Sequence, residues 1–163
     1  MDEERRIEMA AGFHTSTTHA RGAAIPSNLF SLDWFVKPWK LLEFNGAFYS
    51  GTNVAFLGSG TRQGFGFYDR TPFGIDSMGG WGQATIHAAP RWDLHFFTGQ
   101  VDDANRHLAA GSIGKNILYG GNVYFHVAQN VLTGFETTQV RTMYIGQGLR
   151  INNHYDLALA YLF

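Results

Sequence analysis

Hydrophobic and polar side chains alternate along much of this chain, most clearly at its carboxy-terminal end. From Tyr155 to Phe163 every second residue is large and apolar, and the residues between them begin with Asp156 and continue with two alanines before Leu162. Because successive side chains of a β-strand point to opposite faces, one face of this segment is apolar. Lipid around a closed β-barrel can cover such a face. The alternative interpretation is the last strand of a soluble sandwich.

The same period of two predicts eight strands. One face of each predicted strand is mainly apolar, and the other carries most of the acids, amides and histidines. Their approximate ranges are 7–15, 28–37, 39–50, 80–89, 91–100, 116–127, 131–141 and 155–163. The pattern therefore predicts an all-β fold, an antiparallel up-and-down transmembrane β-barrel with eight visible strands, either closed on itself or part of a larger barrel.

The links between the predicted strands alternate in length. Short links lie at 37–39, at 90 and at 128–130, and long links at 16–27, 51–79, 101–115 and 142–153. In a meander every second link lies at the same end, so this pattern predicts short turns at one end and long loops at the other, as in outer-membrane barrels. We expect the long loop at 51–79 to fold into the lumen, to pack on a neighbouring subunit or to form an exposed flap.

Composition narrows the class of protein. The 163 residues indicate a single domain over 1–163, and a net charge of −1 gives no electrostatic reason to expect a nucleic-acid partner. The absence of cysteine excludes disulfides, thiolate zinc sites and thiol nucleophiles. Residues 1–6 are acidic and then basic, with no apolar signal core after them. We expect the chain to be the carboxy-terminal portion of a longer one.

Motifs for catalysis or cofactor binding are not evident. The seven histidines show no metal-ligand spacing, and no Gly-x-Ser-x-Gly elbow occurs. The glycine-rich run at 58–66 lacks the Gly-Lys-Ser/Thr of a phosphate-binding loop. We therefore predict no catalytic residue, no metal and no cofactor, and no enzyme activity.

The polar face of the predicted strands is the candidate functional surface. Hairpin arithmetic places Asp33 opposite Glu43, and two opposed carboxylates need a proton, a bridging cation or a base from elsewhere. No inward-facing base is expected at that level. The same arithmetic predicts three further pairs, His87 with Asp93, Thr85 with His95, and Asn122 with Glu136.

The predicted lumen-lining residues are those acids and histidines of the polar face: Asp33, Glu43, His87, Asp93, His95, Glu136 and Asp156. One interpretation is an acid-rich lumen that favours cations or guides polar solutes. The other is a set of interior hydrogen bonds and ion pairs that loop side chains complete.

Three stretches carry a resemblance to a known family. They are Gly79–Gln83, which opens a strand after a long loop, Gly99–Asp103, which closes the next hairpin, and the terminal Tyr161–Phe163. From about residue 79 onward the chain resembles the carboxy-terminal part of bacterial outer-membrane porin-like barrels. The last strand looks like the signal by which such barrels are recognised for assembly, carried by Tyr155, Leu157, Leu159, Tyr161 and Phe163.

The resemblance implies an outer-membrane location, with outer-membrane lipid and the barrel-assembly machinery as partners and a homotrimer as one assembly. It also implies passive diffusion of small polar solutes, here through an acid-lined barrel. A pore needs about sixteen strands, because eight closed strands enclose only side chains. The alternatives are a non-conducting eight-stranded anchor or adhesion barrel that acts through its loops, and a soluble lipocalin-like binding barrel.

Overall fold

Strands make up nearly all of the structure, a computed structural model that describes residues 5–57, 61 and 63–161, with only the backbone of Phe56 and His107. The strands are β1 (Arg6–Ala20), β2 (Ala23–Trp39), β3 (Leu42–Thr52), β4 (Phe65–Tyr68), β5 (Thr71–Gly74), β6 (Asp76–Ala89), β7 (Trp92–Asp103), β8 (Ile113–Ala128), β9 (Val131–Tyr144) and β10 (Gly148–Tyr161). Two short 3₁₀ helices cover Ala55–Leu57 and Asn105–His107. Within the described residues no helix has the length and apolar character to cross a membrane.

Eight of these strands form one antiparallel sheet in the order β1-β2-β3-β6-β7-β8-β9-β10. Apart from the inserted β4–β5 hairpin, each strand pairs with its neighbours in the chain, which confirms the predicted eight-stranded meander. The sheet is open in the described part of the chain, because β1 pairs with β2 alone and β10 with β9 alone.

Two of the four predicted long links are wrong. The predicted link at 16–27 is instead the continuation of β1 and β2 to a two-residue turn, Arg21–Gly22, whose φ values of 50° and 80° are those of a tight hairpin turn. The predicted link at 142–153 is likewise the end of β9, a turn at 145–147 and the start of β10. The end of β1 is polar and carries no alternating apolar signal, although its backbone still pairs. The start of β10 does alternate, with Leu149 and Ile151 on the outer face, but this short pattern was assigned to the link. The links at 53–75 and 104–112 remain longer.

The two faces of the sheet are defined by the link at 53–75, which packs on one of them. We call that side the inner face and the opposite side the outer face. Asn53 Nδ2 donates to Ser27 Oγ at 2.7 Å, and Gln63 Nε2 donates to Asp103 Oδ2 at 2.9 Å. Ser27 and Asp103 share the strand parity of Asp33 on β2 and of Asp93 on β7. The predicted polar parity is therefore the inner face.

The outer face carries large apolar side chains that nothing in the described structure covers. Leu157 is 85 % exposed and Phe96 is 56 % exposed, whereas the buried hydrophobic core consists of Ile25, Val54 and Ile75. The exposed set on the outer face includes Ile7, Met9, Phe13, Phe30, Phe44, Phe48, Phe96, Phe135, Leu157 and Leu159. An apolar surface of this extent indicates contact with lipid or another apolar partner. It does not support the soluble sandwich, or the lipocalin-like barrel that turns its apolar face inward.

The register of β2 and β3 corrects one predicted pairing. Asp33 lies opposite Ala47, so its predicted position opposite Glu43 is wrong. The hairpin turn is centred two residues later than Pro38, with an irregularity between Val36 and Trp39, and this brings Lys37 within reach of Glu43. The expectation that no base lies at that level is therefore also wrong.

The other three predicted pairs are confirmed by the register. His87 lies opposite Asp93 and Thr85 opposite His95 in β6–β7, and Asn122 lies opposite Glu136 in β8–β9.

The assigned faces predict unequal effects of two substitutions in β10. Leu159→Arg should impair membrane assembly far more than Asp156→Asn, because an arginine on the lipid face of a barrel costs about 2–4 kcal/mol at mid-bilayer. Leu159 is 78 % exposed on the outer face, whereas Asp156 lies opposite Glu136 on the inner face. The measurement is the fraction of the expressed protein that is recovered, folded, in the outer membrane. Equal recovery of the two variants would contradict the assignment of the faces.

The corrected register predicts which pair of charges is energetically coupled. A double-mutant cycle of Lys37→Met and Glu43→Gln should give a coupling of about 0.5–1 kcal/mol, because the two side chains form a half-buried ion pair. The matched cycle of Asp33→Asn and Glu43→Gln should be additive to within about 0.3 kcal/mol, since these residues are not opposed. Urea unfolding of the membrane-inserted protein measures both cycles. Coupling in the second cycle without coupling in the first would refute this register.

Candidate functional site

A row of charged and imidazole side chains crosses five strands of the inner face near their short-turn ends. Its members are Lys37 on β2, Glu43 on β3, His87 on β6, Asp93 on β7 and His126 on β8. Adjacent strands lie about 4.8 Å apart, so each member can reach the next. We call these five residues the charged row.

The charged row is connected by contacts at hydrogen-bonding distance along most of its length. Lys37 Nζ donates to Glu43 Oε1 at 2.7 Å, and His87 Nε2 lies 3.4 Å from the same oxygen. His87 Nδ1 lies 2.7 Å from Asp93 Oδ1, and His126 Nε2 lies 2.9 Å from Asp93 Oδ2. His87 therefore stands between two carboxylates, and only its imidazolium form can donate to both.

A second polar group lies beside the charged row. His95 Nδ1 is 3.0 Å from Thr85 Oγ1 and 3.3 Å from Gln83 Nε2, and the His95 ring meets the Tyr124 ring edge-on with a centroid distance of 5.2 Å. These contacts hold the imidazole in place with uncharged partners. His95 therefore adds a fixed polar group to the inner face without adding a paired charge.

The opposed carboxylates that the sequence suggested do occur, but between β9 and β10. Glu136 lies directly opposite Asp156, and Asn122 Nδ2 donates to Glu136 Oε2 at 2.9 Å. Neither acid forms an ion pair within residues 5–57, 61 and 63–161, and the same holds for Asp33, which is exposed opposite Ala47. These three acids present negative charge that no described base neutralises.

All seven predicted site residues lie on the inner face, but the structure divides them. Glu43, His87 and Asp93 belong to the charged row, His95 lies beside it, Glu136 and Asp156 form a separate pair, and Asp33 stands apart. Sequence reasoning missed Lys37 and His126 as members of the row. Both lie at alternate strand positions that face inward, and this alternation could have identified them. The irregularity in β2–β3 made the position of Lys37 relative to Glu43 unpredictable from the sequence.

Acids outnumber the permanently charged bases on the inner face of the described strands. The acids are Glu8, Asp33, Glu43, Asp93, Asp103, Glu136 and Asp156, and the bases are Arg6, Lys37 and Arg150. Arg6 pairs with Glu8 and Lys37 with Glu43, so two of the three positive charges are neutralised by acids of the same face. The unpaired charge of this face is therefore mainly negative, and so is its electrostatic potential.

The link at 53–75 is tied to the inner face at Asn53 and near its middle. Asn53 N donates to Ile75 O at 2.9 Å, which joins the two ends. Gln63 Nε2 donates to Ile113 O at 2.6 Å as well as to Asp103. The β4–β5 hairpin lies within this link and turns at Asp69–Arg70. The link is therefore a folded element that lies against the wall of the sheet.

No group of three or more histidine, aspartate or glutamate side chains in the described part of the chain is arranged to hold a metal ion.

The terminal set, the five residues of the last strand that resemble an assembly signal, lies on the outer face as far as it is described. Its members Tyr155, Leu157, Leu159 and Tyr161 are exposed there. Phe163, the fifth member of that set, lies outside the described residues.

Comparison with known proteins gives a likeness in structure alone. No protein-family model matches the sequence, and no curated protein matches it. Among solved structures, the crystal structure of the outer membrane channel DcaP of Acinetobacter baumannii superposes with a TM-score of 0.88 at 10 % sequence identity, over 97 % of this chain and 47 % of the channel chain. This chain thus spans about half the length of that channel chain. At this identity the likeness concerns the fold: the open eight-stranded sheet has the shape of part of an outer-membrane channel barrel.

Proposed function

We propose that this chain forms part of a porin-like channel through which small polar solutes diffuse passively. The observation that carries the proposal is the division of one continuous sheet into an uncovered apolar outer face and a polar, acid-rich inner face. In a bilayer the first faces lipid and the second faces a water-filled lumen. The structural likeness to an outer membrane channel supports this proposal. It also supports an outer-membrane location.

The two unpaired strand edges support a barrel larger than eight strands. Backbone groups on β1 and β10 that lack a partner cannot remain exposed to hydrocarbon. Because these two edges do not pair with each other in the described sheet, we infer that further strands lie beside both of them. The match to 47 % of a channel chain agrees with a barrel of about twice this size. We infer that this chain is the carboxy-terminal portion of such a barrel, and the apolar alternation of β10 supports this position. A closed eight-stranded anchor is less consistent with an open sheet.

Selection would depend on pore width and lining charge, without chemistry on the solute. The carboxylates of the charged row are held by Lys37, His87 and His126, so we expect them to shape the wall more than to attract ions. Four of the inner-face acids have no described cationic partner. Asp103 is buried and accepts a hydrogen bond from Gln63, so the other three, Asp33, Glu136 and Asp156, would give the lumen its preference for cations. The link at 53–75 would narrow the passage.

Three further parts of the proposal concern assembly. The terminal set, with Phe163, would be the segment that the barrel-assembly machinery recognises. A homotrimer is the assembly that the resemblance to porins implies. Outer-membrane lipid would contact the apolar outer face.

The proposed lining predicts the ion selectivity of a defined variant. Replacing the three acids together (Asp33→Asn, Glu136→Gln, Asp156→Asn) should lower the cation-to-anion permeability ratio. One charge at about 8 Å in water changes the energy of an ion by roughly 0.5 kcal/mol, so each acid contributes about a twofold change before screening by salt. The measurement is the reversal potential across a planar bilayer that separates two concentrations of KCl.

The matched control for this prediction is Asp102→Asn. Asp102 lies on the outer face and binds Lys115 Nζ at 2.8 Å, so its removal should leave the reversal potential unchanged. If the triple variant behaves like this control, the acid lining is wrong. If the full-length protein carries no steady current at all, the channel itself is wrong.

A further inference from the structure

Charged side chains on the outer face of the main sheet, as far as it is described, lie at the long-loop ends of the strands. The acids and permanently charged bases there are Asp76, Asp102, Lys115 and Arg141. Arg106 Nη2 donates to Asp76 Oδ2 at 2.9 Å, and Lys115 Nζ donates to Asp102 Oδ2 at 2.8 Å. Arg141 forms no ion pair within the described residues, so its positive charge on this face is not neutralised by the described structure.

The position of Arg141 along β9 matches the edge of a bilayer. It lies ten positions from Val131, where β9 leaves its short turn. At about 3.3 Å per residue and a tilt of about 40°, this distance is roughly 25 Å along the membrane normal, the height of the apolar band of such barrels. Tyr119 and the exposed Tyr155 lie on the same face slightly nearer the short turns, and aromatic residues flank that band. Arg141 is therefore at the level of the lipid headgroups.

The guanidinium of Arg141 is held in place by two neighbours. Its Cζ lies 5.0 Å from the centre of the Tyr119 ring, and its Nε donates to Gln139 Oε1 at 2.7 Å. Gln139 Nε2 in turn donates to Asn153 Oδ1 at 3.0 Å. A guanidinium carries five N–H donors, and those on the two terminal nitrogens form no hydrogen bond in the part of the chain that the structure describes. An oriented guanidinium with free terminal donors suits the paired oxygens of a phosphate.

The surroundings of Arg141 favour a lipid over other sources of negative charge. Ile117 on β8 and Ile151 on β10 lie directly opposite Arg141 on the outer face, and Ile151 is 52 % exposed. Apolar side chains on both sides suit acyl chains more than a free anion in water. A second copy of this chain is less suitable, because the described acids of its outer face, Asp76 and Asp102, are already paired.

We propose that Arg141, Tyr119 and Gln139 form a binding site for the phosphate of an anionic lipid in the leaflet on the long-loop side. The terminal N–H groups of Arg141 donate to the phosphate oxygens, and the acyl chains lie along the apolar outer face toward the short turns. This inference rests on the membrane location within the proposed function and does not depend on conduction. It goes beyond general contact with lipid, because it names one headgroup chemistry and one place.

Three variants test the site. Arg141→Gln removes the charge, and Tyr119→Leu keeps the charge but removes the ring that orients it. The matched control is Arg150→Gln, since Arg150 lies opposite Thr142, the next residue of β9, but on the inner face. It changes the net charge of the protein as Arg141→Gln does, at nearly the same height, without touching lipid.

Native mass spectrometry of the full-length protein in a neutral detergent measures the binding of single lipids. Phosphatidylglycerol should bind the wild type and Arg150→Gln more tightly than phosphatidylcholine with the same acyl chains, whose headgroup has no net charge. Arg141→Gln should raise the Kd for phosphatidylglycerol about tenfold, the effect of one charge-assisted hydrogen bond. Tyr119→Leu should raise it about threefold, the effect of one exposed cation–π contact. Glycerol phosphate, which has no acyl chain, should not bind at the same concentration.

Each contrary result overturns the site. These results are equal binding of the two lipids by the wild type, an unchanged Kd in Arg141→Gln, or an equal loss in Arg150→Gln. Glycerol phosphate that binds as tightly as phosphatidylglycerol would make this a site for free phosphate esters. An oligomer that is lost in Arg141→Gln, with lipid binding unchanged, would place a second copy there. If Arg141→Gln does not fold, an unchanged Kd in Tyr119→Leu overturns the site. Lipid binding as expected without any current in planar bilayers would contradict the channel and leave the site intact.

Discussion

Backbone N–H and C=O groups of a strand need hydrogen-bond partners, and the hydrocarbon of a bilayer provides none. In this chain the six strands between β1 and β10 in the large sheet are paired on both sides, and β1 and β10 are paired on one side each. Pairing fixes the alternation of side chains, so that leucines and phenylalanines collect on one face and acids and histidines on the other. The same constraint requires partners for both open edges, and this is the physical ground for the larger barrel that we propose.

The electrostatics of the inner face follow from register more than from composition. The irregularity between Val36 and Trp39 brings Lys37 to Glu43, and that acid is therefore paired. Asp93 is likewise held by two histidines. Asp103 is buried and accepts a hydrogen bond from Gln63. Asp33 and the opposed pair of Glu136 and Asp156 therefore carry most of the remaining negative charge on the described inner face.

The inner face has a charged region and an apolar region, and they lie at different heights along the strands. The charged row lies near the short turns, and an apolar part of the face around Trp81 lies near the link. Trp81 and His87 are six positions apart on β6, roughly 20 Å along the strand. The link creates the second level by placing Val54 and Leu57 over the wall.

The sequence by itself determined the eight strands of the main sheet and which face of each is apolar, because the alternation of side chains is a local property of an extended backbone. It did not show how far β1, β2, β9 and β10 continue to pair, or that β4 and β5 form a hairpin within the link. A regular hairpin centred on Pro38 also put Asp33 opposite Glu43, which is wrong. The irregularity between Val36 and Trp39 shifts the partners of all residues farther from the turn. The tertiary structure decided these features, together with the open edges and the apolar surroundings of Trp81, because each depends on which distant strand lies opposite and on what the link covers.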